Sequence, residues 1–286
     1  MLTSLAPAKI NLVLEVLGER TDGYHEIRSL VQTINLCDVI SFEMADEISL
    51  KCTEPSLQTS NNLVIQAAEL LREVSGCKKG ARVELEKRIP WDAGLGGGSS
   101  DAAATLLALN NLWELGLTTL ALTELAARLG SDIPFFVHKG VALIEGRGEK
   151  VTPLLVSVPG WFVLLLPPLL KMPGKTQRIY AWLSNEHFTE GQFVDKAIQE
   201  WLQSRRVSPS LLFNTFDRVA LDAFQGLEKY WRYFEEAGAT DIHLAGSGPT
   251  LFTLVDDEAM AEELQRHLCG QGLEAYSVSN IISEVV

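Results

Sequence analysis

The chain has 286 residues, 47% of them hydrophobic, and a formal net charge of −13. That hydrophobic content excludes an intrinsically disordered chain, and the length allows one large domain or two modest ones. The acidic balance argues against nucleic acid or an anionic membrane as the main partner, so any site for a phosphorylated ligand has to be made locally positive by a helix end, a metal or a few placed cations.

Cys37, Cys52, Cys77 and Cys269 have no paired spacing and read as free thiols of a cytoplasmic protein, with no zinc site. The N-terminus lacks the basic start and apolar run of a signal peptide. The longest apolar stretch, Trp161 to Leu170, contains Pro167 and Pro168 and is too short to span a bilayer.

Ala8 to Leu17 alternates, with Ile10, Leu12, Leu14 and Val16 on one face of a strand and Lys9, Asn11 and Glu15 on the other. A turn at Thr21-Asp22-Gly23 leads to a second strand near Glu26 to Leu36, with Tyr24 and His25 at the junction. Asn61 or Asn62 caps a helix running to about Val74 and closed by Gly76. Ala81 to Lys87 alternates as a strand and leads through Ile89-Pro90 into a glycine-rich loop. Helices follow at about Ser100–Trp113 and Thr119–Leu129, then a short apolar turn over Ser131–Val137.

The second half begins near Pro153 with a strand at Phe162–Leu166 and a loop over Pro167–Lys175. Helices are predicted near Lys175–Leu183, Thr189–Gln203 and Val219–Ala237, a strand–turn–strand at Asp241–Val255, a helix at Glu258–Cys269 and a last strand near Ala275–Ile281. Strands and helices mix without regular βαβ alternation, which predicts an α+β class, divided into residues 1–153 and 154–286.

The run Gly94-Leu95-Gly96-Gly97-Gly98-Ser99-Ser100-Asp101 is the most informative segment. Glycine permits positive φ, so backbone N–H groups can turn inward together. The following helix adds roughly half a positive charge at its start, and the combination suits a phosphate. No lysine follows as in a Walker loop, and Ser99 stands where a dinucleotide fingerprint needs glycine. The plainer reading is a turn in which Ser100 or Asp101 caps the helix.

Lys9 on a polar strand face reads either as solvated or as functional. Asp132, before Ile133-Pro134, reads as an N-cap, as a general base, or as both. Ala245-Gly246-Ser247-Gly248-Pro249-Thr250 is a tight turn or a second anion-facing loop. Trp91-Asp92-Ala93 puts a carboxylate beside the glycines, awkward for phosphate unless it points away.

Taken in order, Pro7-Ala8-Lys9-Ile10-Asn11-Leu12, the segment from Pro90 to Asp101-Ala102-Ala103, and Ala245 to Thr250 resemble the three motifs of the GHMP small-molecule kinases. Arg20-x-Asp22-Gly23-Tyr24-His25-Glu26 and Gly130-Ser131-Asp132-Ile133-Pro134-Phe135-Phe136 resemble the branch that acts on a cytidine-diphospho-methylerythritol. The resemblance implies a ribosomal-protein-S5-like N-terminal domain, a ferredoxin-like C-terminal domain and an active site between them. It implies ATP as co-substrate with Mg²⁺, phosphate contacts from Pro90, Gly94, Leu95, Gly96, Gly97, Gly98, Ser99 and Ser100, and Asn62 on the adenine side, where helix capping is the other reading. Asp132 would be the base, assisted by Lys9, and Asn11 would hold the erythritol hydroxyls. Tyr24 and Tyr180 would sandwich the cytosine and His25 would read its edge, with Thr176 four residues before Tyr180. No carboxylate cage for a metal is legible, so Ser99 or Ser100, phosphate oxygens and water are the expected Mg²⁺ ligands. The assembly expected is a monomer or weak homodimer. The alternatives are a GHMP kinase for another small alcohol, such as mevalonate or homoserine, and a non-catalytic ligand sensor or RNA-binding module on the same fold.

Overall fold

The computed structural model describes residues 1–154, 160–169, 174–204 and 208–281. Two long strands organise the first half: β1 (Leu2–Glu19) pairs antiparallel with β2 (His25–Ala45) across the turn that carries Asp22 and Gly23. Next in the chain come β3 (Ser49–Cys52), helix α1 (Leu63–Ser75), β4 (Gly80–Glu86), α2 (Gly97–Leu112), α3 (Thr119–Leu129), α4 (Ile133–His138), β5 (Val141–Gly146) and β6 (Lys150–Leu154). The second half supplies β7 (Trp161–Leu166), α5 (Lys175–Tyr180), α6 (Gln192–Ser204), β8 (Phe213–Asn214), α7 (Ala220–Ala223), α8 (Leu227–Glu236), β9 (His243–Leu244), β10 (Leu251–Val255), α9 (Glu258–Gly270) and β11 (Glu274–Ser279).

The first sheet has the order β3-β4-β2-β1-β8. β2 is long enough to pair with β5 along Ile27–Gln32 and with β4 along Val39–Ala45. β8, from the second half, lies parallel to β1 at Val13 and Leu14. The second sheet, β11-β7-β10-β9, is antiparallel.

β1 departs from simple alternation for a local reason. Its pairing with β2 slips between Asn11 and Val13, a bulge that shifts the side-chain period by one. Ile10, Leu12 and Val13 enter one core with Phe162, Leu164, Phe252 and Trp201, whereas Leu14 and Val16 enter the other. The expected single apolar face is therefore split. Glu15 is carried away from Lys9 and Asn11: it is fully buried, and its carboxylate accepts the Val194 N–H at 2.8 Å. Nor is the polar face solvated, since Lys9 and Asn11 are each only 6% exposed.

β7 is buried on both faces: Phe162 and Leu164 join the core shared with β1, and Val163 and Leu165 the core shared with α9. α2 is buried almost all round from Ser100 to Leu106, as a central helix must be. Its Ala102, Ala103 and Ala104 allow neighbouring elements to approach closely.

Several expected boundaries move. α2 starts at Gly97 rather than Ser100, so two glycines lie in its first turn. Neither Ser100 nor Asp101 caps it; Gly96 occupies the cap position with no side-chain bond. The segment Val219–Ala237 is two helices broken by Gly226 in a left-handed conformation at φ 87°. β2 runs nine residues past Leu36, where pairing with β1 and β4 sustains it. Part of the Pro167–Lys175 loop lies outside the described residues.

The two glycine loops meet backbone to backbone. A Cβ at Gly94, whose φ is +85°, would stand 2.1 Å from the Ala245 carbonyl oxygen. At Gly98 the nearest atom to an added Cβ is Leu63 Cδ1 at 3.7 Å. Gly94→Ala is expected to destabilise the fold by about 1–3 kcal/mol or more, the cost of overpacking. Gly98→Ala is expected to be neutral or stabilising by up to about 1 kcal/mol. Denaturant midpoints of the two variants check this, and equal midpoints would remove the loop contact as a constraint.

Candidate active site

A cavity of about 1210 Å³ opens between the first sheet, the start of α2, the start of α4, and α5. It exceeds the 300–1,000 Å³ usual for a single small ligand. Lys9, Asn11, Tyr24, His25, Asn62, Pro90, Gly94 to Ser99, Asp132, Thr176 and Tyr180 all line it. Ser100 does not: it is 1% exposed, and its hydroxyl has no hydrogen-bond partner among the described residues.

Lys9 and Asn11 project from β1 on one side of the bulge. Lys9 Nζ donates to Asn11 Oδ1 at 2.7 Å, Asn11 Nδ2 donates to Ser29 Oγ at 2.8 Å, and Ser29 Oγ donates to the Val13 carbonyl at 2.6 Å. This relay ties the ammonium to the bulge itself. Burial pulls the Lys9 pKa below its ordinary value, and the nearby negative charge of Asp132 opposes that shift. Lys9 N–H also donates to the Leu95 carbonyl at 2.9 Å, joining β1 to the glycine loop.

Gly96 is at φ +74°, and a Cβ there would fall 2.7 Å from the Phe136 ring and 3.1 Å from Lys9 Cγ. With no side-chain cap on α2, the first N–H groups of its first turn meet no side-chain acceptor, a geometry that suits an anion. Behind this turn sits a buried ion cluster. Lys87 bridges Asp38 and Asp101, the latter at 2.8 Å, and Asp38 also accepts the N–H groups of Arg88 and Ile89 at 2.6 and 2.9 Å. Burial pushes the Asp101 carboxyl up to about 7, against the attraction of Lys87 and with the help of the Asp38 charge. Sequence spacing does not connect Asp38 with Lys87 and Asp101; pairing of β2 with β4 brings Asp38 to Lys87, and α2 brings Asp101 to the same ammonium.

Asp132 stands at the N-cap position of α4 with helical φ and ψ and makes no capping hydrogen bond. Its carboxylate is therefore not spent on the helix. Asn62 does cap α1: Oδ1 accepts the Val64 N–H at 2.9 Å, and Nδ2 donates to the Leu57 carbonyl at 2.8 Å.

The aromatic wall is arranged differently from a Tyr24–Tyr180 pair. Tyr180 stacks on His25 with centroids 4.5 Å apart and meets Phe216 edge-on. Tyr24 is half exposed, with the Arg147 guanidinium 4.9 Å from its ring centre. Burial lowers the His25 pKa, only partly offset by Glu19, so the imidazole is neutral at neutral pH and its two nitrogens differ as donor and acceptor.

Lys175 had no sequence signal beyond its place in a Pro/Gly-rich loop. It donates to the Asp92 carbonyl at 2.7 Å and to the Gly248 carbonyl, and lies 3.5 Å from the Asp92 carboxylate. That pairing accounts for an acidic residue beside the glycines. The loop Ala245–Thr250 is a turn closed by Ala245 N–H to the Thr250 carbonyl at 2.8 Å, and Gly246 and Ser247 still face the cavity. Asn214, at the end of β8, donates to the carbonyls of Leu244 and Gly246, both at 2.8 Å. Thr176 Oγ1 lies 3.1 Å from Ser247 Oγ. Among the described residues no cluster of His, Cys, Asp and Glu is arranged to hold a metal, and no helix is long and apolar enough to cross a membrane.

The chain matches the model of the GHMP kinases N terminal domain over residues 62–140 and that of the GHMP kinases C terminal domain over residues 197–273. A Dehalococcoides mccartyi protein named 4-diphosphocytidyl-2-C-methyl-D-erythritol kinase is 47% identical over 281 residues, covering 98% of this chain and 99% of that one. A Symbiobacterium thermophilum protein of the same name is 38% identical, covering 96% and 98%. A crystal structure of a 4-(cytidine 5'-diphospho)-2C-methyl-D-erythritol kinase superposes with a TM-score of 0.83 at 33% identity, covering 98% and 99%. Methanococcus jannaschii mevalonate kinase, at 17% identity and a TM-score of 0.68, shares the fold. The chain belongs to the GHMP kinases and, within them, to the 4-diphosphocytidyl-2-C-methyl-D-erythritol kinase family.

Proposed function

We propose that this chain transfers the γ-phosphoryl group of ATP to the 2-hydroxyl of 4-(cytidine 5'-diphospho)-2-C-methyl-D-erythritol, a step of the non-mevalonate route to isoprenoid precursors. One observation carries the reading: a single cavity brings Lys9 and Asp132 together with the uncapped start of α2 and with the aromatic wall of Tyr24, His25 and Tyr180. Mevalonate and homoserine have no base for that wall to hold.

The acceptor oxygen forms a bond to the γ-phosphorus while the bond from that phosphorus to the β,γ-bridging oxygen breaks and ADP leaves. Asp132 takes the hydroxyl proton. Lys9, held by Asn11, offsets charge on the moving phosphoryl group and orients the base. The N–H groups at the start of α2 hold the ATP phosphates, with Pro90, Gly94 and Leu95 shaping the loop. Tyr24 stacks on the cytosine and neutral His25 reads its edge, while Tyr180 backs His25. Asn11, whose amide is engaged by Lys9 and Ser29, acts on the erythritol hydroxyls through Lys9 more than directly.

Mg²⁺ fits the donor set as a metal carried mainly by phosphate oxygens and water, with Ser99, which faces the cavity, as its protein ligand. When bound it neutralises charge on the β- and γ-phosphates. Ser100, turned away from the cavity, is not a ligand in this scheme. Asn62 contributes to the adenine side by fixing the start of α1. We place the division between the two halves near residue 153, since β6 ends at Leu154 and the second sheet opens at Trp161. The assembly proposed is a monomer or weak homodimer, and four free cysteines support the cytoplasm.

Asp132→Asn is expected to lower kcat about 10²–10⁴-fold, the usual worth of general-base assistance, with ATP affinity retained. Near-normal turnover would remove Asp132 from the chemistry. Because burial lowers the Lys9 pKa below 10.5, the charge it supplies is lost as pH rises through that lowered value. The alkaline limb of kcat/KM should therefore fall below 10.5 and move up in Lys9→Arg, whose guanidinium stays charged; an unmoved limb assigns it to another group. Tyr24→Ala should raise KM for the cytidylyl substrate about five- to a hundredfold, the loss of one base stack, with little change for ATP. An equal rise in both would count against the stack.

A further inference from the structure

Four cations among the described residues line the cavity: Lys9, Lys87, Lys175 and Arg147. Three are committed within the protein. Lys87 is shared by two carboxylates, Lys175 by Asp92 and the Gly248 carbonyl, and Lys9 by Asn11. Arg147 differs. It stands on the turn between β5 and β6, and its side chain is 39% exposed. The Glu149 carboxylate reaches only its Nε, at 3.9 Å, and is itself engaged by the Arg147 backbone N–H at 2.8 Å. Among the described residues its terminal amino groups carry no hydrogen bond or ion pair.

The turn that carries Arg147 is tightly held. Gly146 and Gly148 have φ +74° and +115°, and a Cβ on Gly146 would lie 2.8 Å from the Glu149 carboxylate. Gly148 packs against the reacting end of the cavity: a Cβ there would stand 3.2 Å from Ser131 Cβ and 3.7 Å from Asp132 Oδ1. The adjacent guanidinium lies over the Tyr24 ring. One short turn therefore touches both the residue assigned to the proton and the residue assigned to the base. In a nucleotide-linked acceptor the groups between base and acceptor hydroxyl are the ribose and the diphosphate. A chain of net charge −13 needs a dedicated cation to receive them, and guanidinium suits phosphate oxygens in bidentate contact.

We infer that Arg147 binds the diphosphate of a nucleoside-diphosphate-linked acceptor and so selects such acceptors over uncharged alcohols. This rests on the cytidylyl reading above. The test compares CDP with cytidine as ligands, by calorimetry, for the unmodified protein, Arg147→Met and Arg147→Lys, with ADP and Mg²⁺ present throughout to fill the glycine loop. The unmodified protein should bind CDP about ten- to a hundredfold more tightly than cytidine, the worth of charge-assisted hydrogen bonds. Arg147→Met should lose most of that ratio with cytidine binding unchanged, and Arg147→Lys should restore part of it. Survival of the ratio in Arg147→Met, or equal losses for CDP and cytidine, would overturn the assignment. So would weaker ADP binding with the CDP-to-cytidine ratio intact, which would put the guanidinium on the donor nucleotide. Failure of the unmodified protein to bind either cytidine ligand would sink the cytidylyl reading itself, and the role of Arg147 with it.

Discussion

The contact between the two glycine loops is the constraint on which the cavity depends. Gly94 and Ala245 approach so closely that no side chain fits between them, and the contact joins residues some 150 positions apart in sequence. Lys175 closes the seam by donating to carbonyls on both sides of it, at Asp92 and Gly248. Asn214 holds the second loop from beneath through the Leu244 and Gly246 carbonyls, and β8 attaches that asparagine to β1. β1 in turn carries Lys9 and binds the Leu95 carbonyl. Each of these bonds is modest alone, about 0.5–1.5 kcal/mol net for a neutral pair. Together they form a closed circuit of backbone and side chain around the glycine-loop end of the cavity.

An acidic protein that handles polyanions must hold positive potential locally. Here that potential comes less from free lysines than from geometry. The start of α2 is left without a side-chain cap, so its first N–H groups find no side-chain acceptor there. The lysines are buried and braced by carboxylates or carbonyls. Such paired, buried cations contribute little net stability, but they fix where charge sits. The Lys87–Asp38–Asp101 cluster shows this best: it carries two carboxylates for one ammonium, and burial raises Asp101 to about 7, which relieves the excess negative charge behind the glycine loop.

How much was legible in the sequence differs from element to element. α1 and α3 were readable to within a residue because each is bounded by local chemistry: Asn62 and Gly76 for one, Thr118 and Gly130 for the other. β3, β5, β6 and β8 were not legible, since each is short and defined by its partner rather than by its own pattern. The bulge in β1 was invisible for the same reason. Alternation alone put Glu15 beside Lys9, and pairing with β2 sent it to the opposite side. Asp92 looked misplaced only until the chain brought Lys175 to it.

The sequence by itself determined the features that depend on residue type and short spacing. Glycines before a helix, Lys9 and Asn11 two apart on a strand, Asp132 before Ile133-Pro134, and the Tyr24-His25 pair are each local in the chain, so their signatures survive in one dimension. The tertiary structure alone decided which charges are spent and which are free. Lys87, Lys175 and Arg147 are all simply cations in the sequence, yet folding buries the first between two carboxylates, turns the second into a clamp and leaves the third over an aromatic ring that lines the cavity. Charge interactions depend on distance and desolvation, and neither exists until distant segments have been brought together.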